Sequence, residues 1–166
     1  MGAGGFGGHA LMRFLFYDRI LELESGKRVL ATKAISIGDE FLGEHYRRLP
    51  LMPATLMMES LAQVAGWLHI VSEAFAVRTV LGKVEGVRVL RHARPGETLI
   101  VEAWLDYRHR EGASMRGEIR VDGQAVMTVT RMIFASERTD DPRVIARSRE
   151  LFGYISGGFP ESSAGA

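Results

Sequence analysis

The chain has 166 residues, 46% of them apolar and 25% charged, with a net charge of +1. That length suits one domain with a real core, and a charge so near neutral gives no bulk attraction for nucleic acid or an anionic membrane. With no cysteine in the chain, disulfides, thiol nucleophiles and thiolate-bound metals are excluded, which suits a cytoplasmic protein.

Residues 1–10 are glycine-rich and without periodicity, so a flexible tail is expected there. They lack the basic region and unbroken apolar run of a signal peptide. Leu11 to Phe16 is apolar and is expected to pack on the domain. Ile20 to Glu24 alternates apolar and acidic residues, Ser25-Gly26 is a turn signal, and Arg28 to Ile37 is rich in β-formers. The pattern predicts a hairpin of 18–24 with 27–37.

A polar loop carrying His45 then runs through Pro50 to Pro53. Proline suits a first helical turn, where its missing N–H would have had no partner. From Ala54 to about Phe75, apolar residues recur at three-and-four spacing and also fill much of the remaining circumference. That predicts a helix of about 22 residues, roughly 33 Å long, buried nearly all round. Glu59, Ser60, Gln63 and His69 interrupt it, which argues against a membrane span.

Everything after the helix reads as strand. Thr79 to Leu90 is one, with Gly82 and Gly86 as bends or bulges. Arg94-Pro95-Gly96-Glu97 is a turn. Two stretches of period-two alternation follow, Leu99 to Tyr107 and Met115 to Val121, then the hairpin signal Asp122-Gly123 and a last strand, Gln124 to Ala135. Residues 137–150 are charged enough for a short helix, and the tail after Phe152 is Gly/Ser-rich. A hairpin, one buried helix and four more antiparallel strands predict an α+β fold in which a curved sheet wraps the helix. The domain spans 11–136, with 137–166 as a C-terminal extension.

In this order, a loop imidazole and a helix carboxylate suggest proton-transfer chemistry. His45 titrates near neutrality and suits a base. Glu59 suits an acid if the apolar helix around it raises its pKa. The amides of Ala54 and Thr55, at the helix start, suit an oxygen that gains negative charge. Gln63 lies one turn beyond Glu59 on the same face, and a hydrogen bond near the site and a packing role are both open to it. His69 reads as a core histidine, and His92 and His109 as turn or strand-end residues. No histidines and acids have metal-ligand spacing, so neither a metal nor another cofactor is expected. The eight methionines read as core and tunnel lining.

The stretch HYRRLPLMPATLMMESLAQVAG resembles the signature of the 3-hydroxyacyl-[acyl-carrier-protein] dehydratases of the hot-dog fold. That signature is His-Phe-Pro-Gly-x-Pro-x-Met-Pro-Gly-x-Leu, two residues, then Glu-Ala-x-Ala-Gln. His45, Pro50, Met52, Pro53, Leu56, Glu59, Ala62 and Gln63 match at the expected spacing. Asp18-Arg19-Ile20, Gly26-Lys27-Arg28, Val87-Arg88-Val89, Arg91 and Pro95-Gly96-Glu97 extend the resemblance over roughly 11–136. Tyr46 stands for Phe, Arg47 and Arg48 for Pro-Gly, Ala54 for Gly, and Glu44 for the Gly before the histidine.

The resemblance implies dehydration of a 3-hydroxyacyl thioester to a trans-2-enoyl thioester, in fatty acid or related polyketide-type synthesis. His45 would be the base, Glu59 the acid, and the Ala54 and Thr55 amides the donors to the thioester oxygen. It implies a homodimer, or a trimer of dimers, in which His45 and Glu59 meet across the interface. An acidic, phosphopantetheine-bearing acyl carrier protein would then be the partner. Arg47, Arg48, Arg88, Arg91 and Arg94 are docking candidates for it, with an ordinary solvated face as the other reading. Two further readings stay open: a hot-dog thioesterase in which Glu59 activates water, and a non-catalytic acyl-thioester binder or partner subunit. Glutamate rather than aspartate at the acid position resembles the branch that dehydrates without isomerising.

Overall fold

The computed structural model describes residues 15–44 and 49–157. In chain order these form β1 (Arg19–Glu24), β2 (Arg28–Ala34), α1 (Glu40–Glu44), α2 (Ala54–Ser72), β3 (Val77–Val89), β4 (Thr98–His109), β5 (Gly112–Val121), β6 (Gln124–Arg138) and α3 (Pro142–Ile155). The glycine-rich start and the end of the Gly/Ser-rich tail lie outside the described residues.

The six strands make one antiparallel sheet in the order β1-β2-β4-β5-β6-β3. Both hairpins expected from turn residues are present. Asp122 and Gly123 have φ of 50° and 77°, the left-handed pair that a two-residue turn needs to follow the strand twist. Along β5, Met115, Gly117, Ile119 and Val121 are buried while Arg116 is exposed and Glu118 and Arg120 are half-buried, so one face of the strand is core.

The core is α2. Met57, Leu61, Val64, Ala65 and Leu68 have no exposed surface, and each such large apolar side chain contributes about 1.5–3 kcal/mol on burial. All six strands touch this helix, which requires the sheet to curve around it. The helix comes close to the sheet at Gly117, where an added Cβ would stand 2.6 Å from Leu61 Cδ1 and 3.0 Å from the Glu102 carbonyl oxygen. Only a residue without a side chain lets the helix come that near.

Three features differ from the sequence expectations or add to them. The helix ends at Ser72, three residues short of Phe75. Ala74 and Phe75 take positive φ of 54° and 67°, and Phe75 N–H donates back to Ile70 O at 2.8 Å, turning the chain into β3 without a glycine. The polar loop before the site contains α1, whose Leu42 is buried. One five-residue turn is too short to show a period, and it is held by burial of that leucine. Gly82 lies at a register shift of β3 against β6. Gly86 has φ +63°, with Thr130 Oγ1 only 2.1 Å from where a Cβ would be.

The charged segment after β6 forms α3. Asp141 caps it, accepting from Arg143 N at 2.9 Å, and Pro142 occupies the first turn. Ile155 is buried in the main core, and Leu151 and Phe152 pack against it.

Candidate active site

Pro53 leads into α2 with φ −56° and ψ 140°, and no side chain caps the helix. Leu56 N and Met57 N both reach the Pro53 carbonyl, at 3.0 and 3.1 Å. The amides of Ala54 and Thr55 precede the first of these bonds, so they are the donors that every helix start leaves without an intrahelical acceptor. The partial positive charge of the helix end is concentrated there. Met52 fixes the position of this end. It is fully buried, its N–H donates to Ala93 O at 2.9 Å, and its carbonyl lies 3.3 Å from His92 Nδ1.

Glu59 follows about one and a half turns later. Its Oε1 accepts from Gln63 Nε2 at 2.8 Å, and Gln63 Oε1 accepts from Phe16 N at 3.0 Å. A backbone amide thus orients the Gln63 amide, which in turn holds the carboxylate. The packing and hydrogen-bonding alternatives for Gln63 come together in this one side chain. Glu59 itself is exposed, so the helix expected to be buried nearly all round is open at this position. The face of α2 that carries Glu59 and Gln63 lies beside the edge strand β3 and is not covered there by a further element.

That face opens on a cleft of about 300 Å³. Along α2 it is lined by Glu59, Ala62, Gln63, Gly66, Trp67 and Ile70, with Leu15 and Tyr17 on one side and Thr79, Leu81 and Phe134 on the other. Beyond Glu59 and Gln63 the lining is mainly apolar, the character of a site for a hydrocarbon chain with polar groups at one end. Trp67 Nε1 donates to the Tyr17 hydroxyl at 2.6 Å, and burial raises the Tyr17 pKa to about 12.

His45, Arg47 and Arg48 lie outside the described residues. Arg88 is exposed on β3, and Arg94 is exposed in the following turn. Arg91 is engaged locally. Its Nη1 donates to Glu97 Oε2 at 2.9 Å and to His92 O at 3.1 Å, and the bond from Arg91 holds the Glu97 carboxyl below its ordinary range. Among the described residues, no group of three or more histidines and acids is placed to hold a metal, and no helix is long and apolar enough to cross a membrane.

His69 is a core residue, 1% exposed. Its Nε2 pairs with Ser136 Oγ, while Nδ1 has no partner among the described residues. Burial lowers its pKa from the ordinary 6.5, because an imidazolium there would be poorly solvated. It lies on the sheet side of α2 and does not line the cleft.

Sequence reasoning missed Leu15, Tyr17 and Trp67 as parts of the site. Trp67 was within reach of it, since Glu59, Gln63 and Trp67 follow at i, i+4 and i+8 on one helix face. Tyr17 was not, because its place depends on where the segment before β1 crosses the helix.

Comparison with known proteins agrees with this architecture. A family model described as a FabA-like domain matches residues 10–130. The chain is 38% identical over 111 residues to the 3-hydroxyacyl-[acyl-carrier-protein] dehydratase FabZ of Oenococcus oeni, covering 66% of this chain and 80% of that protein. It is 34% identical over 126 residues to the protein of the same name from Hydrogenobaculum, covering 74% and 85%. Among solved structures, the conserved protein PA5202 from Pseudomonas aeruginosa superposes with a TM-score of 0.62 at 14% identity, covering 80% of this chain and 95% of that one. A hypothetical thioesterase with coenzyme A from Streptococcus pneumoniae gives 0.61 at 14%, covering 78% and 93%. At such identities these two share the fold alone, which is the hot-dog α+β fold. By its family model, by its relatives and by the motif running from Pro50 to Gln63, the chain belongs to the FabA-like family of 3-hydroxyacyl-[acyl-carrier-protein] dehydratases.

Proposed function

We propose that this protein removes water from 3-hydroxyacyl thioesters on acyl carrier protein, giving trans-2-enoyl thioesters for fatty acid or related polyketide-type synthesis. The observation that carries the reading is Glu59 lining a mainly apolar cleft, about one and a half turns from a helix end whose Ala54 and Thr55 amides have no acceptor among the described residues. His45 takes the α-proton. The thioester oxygen gains charge against the Ala54 and Thr55 amides. The C3–O bond then breaks as Glu59 protonates the departing hydroxyl, and water leaves. Gln63 positions Glu59 through the bond at 2.8 Å.

The active species is a homodimer in this reading. In one chain β3 is an edge strand on which Val80, Val87 and Val89 are exposed, with Leu90 just beyond. An unpaired, largely apolar edge is a template for a second copy. Pairing there would cover Glu59 and bring a second chain's His45 to it. Exposed Arg88 and Arg94, with Arg47 and Arg48, would receive an acidic carrier protein, and Arg91 would mainly hold the turn.

Incubation with 3-hydroxyacyl and trans-2-enoyl thioesters, following enoyl absorbance and free thiol together, tests the reading. Reversible interconversion without thiol release is expected, and Glu59→Gln should slow it about 10²–10⁴-fold. No interconversion by folded protein overturns the reading, and thiol release replaces it with thioester hydrolysis.

A further inference from the structure

α3 (Pro142–Ile155) lies beyond the residues 10–130 that the family model matches, and it reaches the cleft indirectly. Phe152 packs its ring on Trp67, with centroids 5.7 Å apart at 48°, and on Phe75, 5.7 Å apart at 62°. Trp67 is thereby fixed on two sides, by Phe152 against its ring and by the Tyr17 hydroxyl on its Nε1. Arg149 lies over the Phe75 ring, 5.4 Å from its centroid. Just past the helix, Gly157 closes on the Arg19 guanidinium with φ +88°. The helix is therefore tied through its C-terminal half.

The groove beside α2 is lined from Glu59 past Gly66, which has no side chain to obstruct it, to Trp67 and Ile70. Trp67 stands eight residues past Glu59, about 12 Å along the helix axis at 1.5 Å per residue. An acyl chain whose C3 hydroxyl is at Glu59 runs in that direction, because the lining past Gln63 is mainly apolar. We infer that Trp67, clamped by Tyr17 and by Phe152 of α3, forms with Ile70 beside it the end wall of the acyl channel and sets the chain length this protein accepts. Medium chains reach the indole, and longer ones meet it. The inference rests on the dehydratase reading for its turnover assay but not for its binding assay. A large ring held by Phe152 and at its Nε1 edge by Tyr17 cannot swing aside without losing both contacts, so the limit is a rigid one.

The test compares wild type, Trp67→Ala, Phe152→Ala and Phe152→Leu with 3-hydroxybutyryl, 3-hydroxyoctanoyl and 3-hydroxyhexadecanoyl thioesters. The ratio of kcat/KM for the longest substrate to that for the shortest should rise about 10-fold in Trp67→Ala. In Phe152→Ala, which leaves the cleft lining itself intact, it should rise less, and Phe152→Leu should return it toward wild type. A ratio that stays constant in folded variants, with every substrate slowed alike, makes the clamp merely structural and overturns the inference. If Trp67→Ala does not fold, Phe152→Ala decides. Calorimetry with saturated octanoyl- and hexadecanoyl-pantetheine reads the channel without turnover. Wild type should bind the octanoyl probe more tightly, and Phe152→Ala should narrow the difference. That result in a protein without dehydratase activity leaves the end wall standing and removes the proposed reaction. Turnover with an unmoved ratio does the reverse.

Discussion

In the first half of α2, Thr55 and Glu59 are exposed, and Ala54, Leu56, Met58 and Gln63 are half-buried. In the second half, Val64, Ala65 and Leu68 have no exposure, and Trp67 and His69 show 8% and 1%. The helix is continuous and apolar throughout, so composition does not separate the halves. Their surroundings do. The sheet and α3 cover most of the second half, while the first half buries Met57 and Leu61 but turns Glu59 and Gln63 to a cleft that runs on past Gly66, Trp67 and Ile70. Both halves anchor the fold, and the first also offers polar groups to whatever completes the site.

The comparison is broken most sharply by one substitution in each half. Glu59→Gln should lower kcat about 10²–10⁴-fold while shifting stability by no more than about 0.5 kcal/mol, as for an ordinary exposed position. Leu68→Ala should do the opposite, costing about 2–5 kcal/mol through the cavity it leaves with little change in kcat per folded molecule. Urea midpoints beside initial rates separate the two effects. If Glu59→Gln unfolds the protein, the division of labour along the helix is wrong.

Next in size is Gly117→Ala. Its methyl must displace Leu61 or the Glu102 carbonyl, and overpacking of this kind costs about 1–3 kcal/mol. A neutral result by urea denaturation would show that the helix has room to retreat from β5.

The smallest effect sharpens the account of the buried half. His69 has a folded pKa below its ordinary 6.5, so the unfolded chain binds the proton more readily. Its contribution is therefore fully present above that value and is lost as pH falls from 6.5 toward the folded pKa. The slope from this one group is at most about 1.4 kcal/mol per pH unit. Urea titrations between neutral and mildly acidic pH should show that loss, and His69→Gln, which can still bond Ser136, should flatten it. An unchanged slope in the variant would assign the acid sensitivity to other groups.

Much of this protein was legible in its sequence because the signals are local. Period-two alternation in β4 and β5 marks strands with one buried face. Asp122-Gly123 marks a hairpin through its left-handed backbone. Pro53 starts α2, and the spacing from His45 to Gln63 carries the family resemblance. What was not legible depends on contacts between distant segments. The end of α2 at Ser72 carries no glycine, because the turn is held by Phe75 bonding back to Ile70 and packing on Phe152. The place of Tyr17 beside Trp67 follows from where the chain crosses the helix, 50 residues apart in sequence. The exposure of Glu59 was not legible for the same reason. A helix apolar on most of its circumference has the same periodicity whether a neighbour covers each face or not, and only the course of the sheet decided which face of α2 would be left to the cleft.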